Sequence, residues 1–311
     1  MNQTESLYDR ATAAYIGLAI GDALGATVEF MTPDEIKLKY GLHDEIVGGG
    51  WLSLKPGAVT DDTTMSLALG NSILSEQAIV PQAIAQAFSD WLKAKPVDVG
   101  HTVRKGIVHF RYGGVPITPF CEFDSGNGAC MRTLPIALST LFKPEADVRM
   151  ASRDQAHTTH NSELSDAGTE CIVLMIQDSL LKTNKSALTQ KWVNPLIQKH
   201  PIYSFENSKR KDPSGFIVDT LQAVFQSFFD LTSFEDSLID VVNRGGDADT
   251  TGAILGMLAG AYYGMSAIPE KWINGLDPNI KNACIEQAKQ LVDYALTTRN
   301  SLEKSSLVAH G

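Results

Sequence analysis

The sequence predicts an all-α protein, and three observations carry that expectation. Apolar residues recur three and four positions apart along most of the 311 residues, the spacing that builds one face of a helix. Runs of strict apolar–polar alternation, the mark of a half-buried strand, are nearly absent. No Pro/Ser-rich linker and no repeat of fixed period divides the chain. The helices are therefore expected to share one core, in a single domain over 1–311 with its body at about 8–295.

Taken in order, residues 7–25 place Leu7, Ala11, Ala14 and Leu18 on one face, and 63–75 do so with Met65, Leu69 and Ile73. Ile84, Phe88 and Trp91 mark a helix over 82–94, and Met131, Leu134, Leu138 and Leu141 one over 131–142. Ala167, Cys171 and Leu174 carry 164–182, while Ile217, Leu221, Val224 and Phe228 carry 216–230. Phe234, Leu238 and Val241 follow in 234–243, then Ile254, Leu258 and Ala261 in 250–264. Cys284, Ala288, Leu291 and Ala295 close the series in 280–297. Loops are expected at 31–59, 96–128 and 201–215, where Pro, Gly and isolated polar residues concentrate. Long loops in a compact domain are often functional.

Composition narrows the function classes. A net charge of −10 and a pI near 5.2 argue against a nucleic-acid surface, which is usually basic. Cys121, Cys130, Cys171 and Cys284 are scattered without a CxxC pair, which suits a reducing compartment and argues against structural zinc. The N-terminus has no basic region before its apolar run, and Asp22 interrupts that run, so it does not read as a signal peptide. The most apolar segment, 251–265, falls short of the roughly 20 residues that span a bilayer. A soluble, cytoplasmic protein is expected. Gly252, Gly256, Gly260 and Gly264 recur every fourth residue within that segment, and the reading is close approach of a neighbouring helix in the core.

Two short runs carry the chemistry: Thr60-Asp61-Asp62-Thr63, and Gly245-Gly246-Asp247-Ala248-Asp249-Thr250, about 185 residues further on. Each opens an expected helix, where Asp and Thr ordinarily serve as caps and favour the positive helix end. Four aspartates with threonine hydroxyls exceed what two caps need. Gathered in one place, their charge calls for hard divalent cations with oxygen ligands. Two such ions about 3.5–4 Å apart recur as a device for activating water. The Gly48-Gly49-Gly50-Trp51 run and Pro56-Gly57 lead into the first cluster through a flexible turn.

Gly21-Asp22-Ala23-Leu24-Gly25, Thr60-Asp61-Asp62-Thr63, Gly126-Asn127-Gly128-Ala129-Cys130-Met131-Arg132, Thr159-His160 and Gly246-Asp247-Ala248-Asp249-Thr250 occur in the order found in ADP-ribosylglycohydrolases, and the resemblance runs from about residue 8 to 295. The stretches at 26–31, 48–52 and 95–100 look most like the bacterial subgroup that removes ADP-ribose from an arginine of the nitrogenase iron protein. The resemblance implies a compact all-α fold with a dinuclear site, manganese in that subgroup and often magnesium elsewhere. It implies Thr60, Asp61, Asp62, Asp247, Asp249 and Thr250 as ligands, with Asp249 bridging. Glu29 matches an acidic residue near metals and substrate, although a Glu after an apolar helix is otherwise usually solvated. Asp98, which by itself reads as a cap or surface residue, becomes a general acid/base near the ribose, with Glu29 the other catalytic candidate for shuttling protons.

His101 stands where the subgroup usually has Asn and is expected to bind substrate through a hydrogen bond from its ring. His160 is implied at a ribose hydroxyl or phosphate, although a lone His is usually structural. Asn127 with Gly128 is expected to offer backbone N–H groups to the pyrophosphate. Phe216 is expected to stack on adenine, and Arg132 to be a structural pairing residue. The implied reaction is hydrolysis of the bond between ribose and an arginine guanidinium on a protein. In that subgroup PII-type signalling proteins control the enzyme, and through an ammonium channel complex so does the membrane. Serine-linked ADP-ribose, a free ADP-ribose derivative, and a non-catalytic binding role are the alternatives.

Overall fold

The computed structural model describes residues 3–206 and 208–308; residues 1, 2, 207 and 309–311 of the expected 1–311 domain lie outside the described residues. The chain opens with α1 (Gln3–Gly25), α2 (Pro33–Tyr40), α3 (Asp61–Glu76), α4 (Pro81–Lys93) and α5 (His101–Gly113). It continues with α6 (Leu134–Ser139), α7 (Glu145–Ala156), α8 (Glu163–Leu180), α9 (Lys185–Leu188) and α10 (Asn194–Lys199), the last two joined by a π-turn. Then come α11 (Ile217–Asp230), α12 (Phe234–Val242), α13 (Ala248–Tyr263), α14 (Glu270–Gly275) and α15 (Pro278–Val308). Among the described residues the extended pairing is confined to isolated bridges, Gly49 with Leu54 and Gly126 with Phe216. The all-α expectation holds.

The centre of the fold is α1 packed along α13. Both helices are apolar almost all round and buried, as that pattern requires. A Cβ on Gly17 would lie 2.2 Å from the Gly256 carbonyl oxygen, one on Gly21 2.0 Å from that of Gly252, and one on Gly260 2.1 Å from that of Ala13. Residue numbers rise along one helix as they fall along the other, so the pair is antiparallel. The glycine face read from the sequence is thus a backbone-to-backbone seam. Gly264, the fourth of the series, lies outside it: with φ of +83° it caps the end of α13.

Two expected loops contain helices. Residues 33–40 form α2 inside the loop expected at 31–59, because Thr32 and Glu35 make a reciprocal capping box and Pro33 fits the first turn. Only Ile36 of that helix is buried, so apolar spacing gives no signal for it. Residues 101–113 form α5 inside the loop expected at 96–128, with Val103, Ile107 and Phe110 buried on one face. Gly106 masks that pattern. Its missing side chain lets α5 reach the Thr158 carbonyl oxygen, 2.6 Å from where a Cβ would stand. The helix expected over 131–142 begins only at Leu134, where Pro135 fits the first turn.

Around the central pair, α3 and α15 meet through Gln287, whose Nε2 donates to the Leu67 carbonyl oxygen at 2.9 Å. Arg132 is fully buried; it donates to Gln155 and Thr159 and lies over the Phe88 ring, the structural role expected of it. No helix among the described residues is long and apolar enough to cross a membrane. The four cysteines are free thiols, and Cys130, Cys171 and Cys284 are buried.

Candidate active site and metal centre

The antiparallel seam sets the end of α1 beside the start of α13. Gly25 lies against Ala248, with a hypothetical Cβ 2.2 Å from the Ala248 carbonyl oxygen, so Asp22 on α1 sits near Asp249. The Asp22 carboxylate accepts from the Thr60 N–H at 2.8 Å and from its hydroxyl at 3.0 Å. Its other oxygen accepts from the Thr63 N–H at 3.0 Å and from the Thr63 hydroxyl. Asp22 therefore holds the first turn of α3 in place. Sequence spacing assigns Asp22 no role, although an Asp inside an otherwise apolar helix is itself a signal, since buried carboxylates need partners.

Capping does not account for the two acidic runs. Thr60 and Asp247 occupy the cap positions of α3 and α13, yet neither side chain accepts from a first-turn N–H. The side chains are turned toward one another instead. Thr60 Oγ1 lies 3.0 Å from Asp22, 3.0 Å from Asp62 and 3.4 Å from Asp249 carboxylate oxygens. A hydroxyl has one proton, so it cannot satisfy three acceptors at once. Asp62 Oδ1 is buried with no hydrogen-bond partner, a costly arrangement for a carboxylate. Oxygens of Glu29, Asp247 and Asp249 lie within 4.8 Å of one another. Two unit charges at that distance repel by about 3–4 kcal/mol at an effective dielectric constant of about 20.

The titration of these groups reflects the crowding. Burial pushes the Asp61 carboxyl up to about 7, with Asp98 and Asp22 adding to the shift. Burial likewise raises Glu29 to about 8, with Asp247, Asp98 and Asp61 adding to the shift and the Trp51 hydrogen bond opposing it. Asp62 and Asp249 are driven well above the carboxylate range by burial and by their neighbours. The N-termini of α3, α5 and α13 supply positive dipole ends at this place, each equivalent to roughly half a charge. That leaves a surplus of negative charge. An all-oxygen donor set with an orphaned buried carboxylate oxygen fits a hard divalent cation.

The acidic centre forms one wall of a cavity of about 500 Å³. Glu29, Asp61, Asp98, Asp247, Asp249 and Thr250 line it. Thr60 and Asp62 stand behind that wall, fully buried. His101 is exposed at the start of α5 and lines the cavity, as do Asn127, Gly128 and His160. The His160 ring packs on the glycines: a Cβ on Gly128 would lie 2.8 Å from its Cε1. Its Nδ1 meets the Thr159 hydroxyl at 2.8 Å, and burial drives its pKa down to about 3, so the ring is neutral.

One expectation changes. The Asn127 backbone N–H, expected to face a pyrophosphate, already donates to the Gly215 carbonyl at 3.0 Å. Its side-chain amide donates to Asp247 at 2.6 Å and to Thr220 at 2.9 Å, so Asn127 orients a carboxylate of the centre. Phe216, the expected adenine-stacking residue, follows at the start of α11 with its ring half-buried, and its backbone pairs with Gly126. Ser214 and Gly215 line the cavity at that point.

Two aromatic residues went unassigned from the sequence. Phe30 lines the cavity beside Glu29, and the Trp51 indole N–H donates to Glu29 Oε2 at 2.6 Å. Nothing in local spacing announces either, since their partners are remote in sequence.

Comparison with known proteins agrees with this geometry. Residues 3–303 match the family model described as ADP-ribosylglycohydrolase. The chain is 46% identical over 290 residues to the ADP-ribosyl-[dinitrogen reductase] glycohydrolase of Rhodospirillum rubrum, covering 93% of this chain and 98% of that protein. It is 29% identical to the ADP-ribosylarginine hydrolase Tri1 of Serratia proteamaculans (strain 568), over 88% of this chain and 76% of that one. A solved structure titled ADP-ribosylglycohydrolase-related protein complex superposes with a TM-score of 0.83 at 31% identity, covering 94% of this chain and 99% of the other.

Proposed function

The chain belongs to the ADP-ribosylglycohydrolase family, and from that premise we propose that it hydrolyses the N-glycosidic bond between ADP-ribose and an arginine side chain of a protein. The observation that carries the reading is the acidic centre on the cavity wall: side chains at two helix starts that face one another instead of capping. Similarity to a dinitrogen reductase glycohydrolase and to an arginine hydrolase supports arginine over serine as the linkage.

In this reading Thr60, Asp61, Asp62, Asp247, Asp249 and Thr250 hold two divalent cations, manganese ahead of magnesium. When bound, such ions supply a water of lowered pKa and fix the ribose hydroxyls. The chain's own residues do the rest. Asn127 holds the Asp247 carboxylate in place through its side-chain amide. Asp98, half-buried on the cavity wall, moves a proton at the ribose. Glu29, on the cavity wall with the Trp51 indole N–H on its Oε2, delivers a proton to the leaving guanidine. That delivery matters because an unprotonated guanidine leaves poorly, its conjugate acid having a pKa of roughly 12.5–13.8. Neutral His160 is a hydrogen-bond partner for a sugar hydroxyl and adds no charge beside a phosphate.

The wider setting belongs to the same proposal. The whole chain acts as one domain in the cytoplasm, with ADP-ribosylated dinitrogen reductase as the protein substrate and no nucleic acid. A PII-type signalling protein regulates it, and any membrane association runs through that partner. The test is release of ADP-ribose from arginine-linked and serine-linked peptides, with metal stripped and then Mn²⁺ or Mg²⁺ restored. Metal-dependent release from the arginine peptide alone is expected. Release from the serine peptide alone, or none from either with metal restored, would overturn the reading.

A further inference from the structure

The proposed reaction fixes where the polypeptide must lie. The reacting sugar carbon has to stand at the acidic centre, so the arginine that leaves it stands there too. On that reading the rest of the ADP-ribose takes the part of the same cavity that Gly128 and His160 line. A modified protein can approach only as far as its arginine side chain reaches, so its backbone lies at the cavity mouth next to Glu29.

That part of the mouth carries an exposed aromatic pair. Phe30 is 65% exposed and Trp51 54%, with ring centroids 5.5 Å apart. The pair is held outward at a conformational cost. Phe30 has φ of +62°, a left-handed conformation that is uncommon for a bulky residue. Its N–H donates to the Gly246 carbonyl at 2.7 Å, and the Gly246 N–H donates back to Met31 at 3.0 Å, which locks that conformation to the acidic loop. Trp51 follows Gly48, Gly49 and Gly50, all left-handed, and its indole is anchored on Glu29. Two rigid, half-exposed rings lose little side-chain freedom when a partner covers them.

We propose that Phe30 and Trp51 form an aromatic lip that receives the polypeptide around the modified arginine, so that the enzyme prefers modified protein over the same linkage on a free small guanidine. The inference rests on the arginine-hydrolase reading above and names the surface that reads the protein part of that substrate.

The test compares kcat/KM on an ADP-ribosylated protein with that on a free ADP-ribosylated guanidino compound. Phe30→Asn is the informative variant, because Asn tolerates the left-handed backbone and removes only the ring. Wild type is expected to favour the protein, and Phe30→Asn to lose about tenfold or more of that preference, chiefly through KM. Equal losses on both substrates, with an unchanged melting temperature, would overturn the lip and assign Phe30 to the acidic centre. A wild type with no preference for protein would overturn it as well. Failure of wild type to turn over either substrate would instead sink the reaction on which the lip depends.

Discussion

Thr60 Oγ1, within reach of three carboxylates, and Asp62 Oδ1, buried with no partner, show at single-residue scale why the centre fits a cation. Residues proposed to hold a cation and residues that hold the fold are expected to respond differently to substitution. Asp247→Ala removes one half-buried carboxylate whose side chain caps nothing. We expect at least about 100-fold loss of turnover and weaker metal binding, with the helical circular dichroism signal retained. Full activity with an unchanged metal content would refute the assignment. Asp22→Asn should do the opposite first. Its carboxylate accepts four hydrogen bonds from Thr60 and Thr63, and an amide would turn a donor toward donors. A loss of about 1–3 kcal/mol in denaturant unfolding is expected; an unchanged midpoint would show that the α3 turn does not depend on it.

At the scale of elements, the α1–α13 seam is what brings Asp22 to Asp249. Gly21→Ala places a methyl 2.0 Å from the Gly252 carbonyl oxygen, less than two turns from the acidic centre. Gly260→Ala makes a similar clash with Ala13 at the far end of α13. Each should cost about 1–3 kcal/mol of stability. Only Gly21→Ala should also weaken Mn²⁺ binding, and equal effects of the two on metal affinity would show that the seam does not set the site. The seam was legible as glycines at fourth positions, since a repeated lack of side chain has one main use. α2 and α5 were not legible. The first has a single buried residue, and the second reads as polar because Gly106 and charged side chains interrupt its apolar face.

For the whole molecule, the crowded carboxylates link stability to pH and to cations. Asp61 near 7 and Glu29 near 8 in the folded protein stand above the ordinary carboxylate values. A raised pKa means the folded state binds more protons than the unfolded one in the intervening range. The stabilisation is therefore present below about pH 4 and lost as pH rises through about 7–8. Metal-stripped protein should melt at a lower temperature at pH 8.5 than at pH 5.5. Mn²⁺ should restore the difference, since a ligand at 100 times its Kd adds about 2.7 kcal/mol. A melting temperature that rises with pH in the absence of metal would contradict the crowding.

The sequence by itself determined the helical class, the glycine seam and the two acidic runs, because each is written in local spacing and residue type. The order of its motifs also determined the family. Tertiary structure alone decided that the runs meet, because residues about 185 positions apart become neighbours only through the antiparallel packing of α1 on α13. It alone decided that Asp22 organises the α3 turn and that Asn127 serves Asp247, since hydrogen bonds between distant segments leave no periodic trace. It alone set the exposed rings of Phe30 and Trp51 side by side next to Glu29. An aromatic residue reads the same in sequence whichever way its backbone aims it.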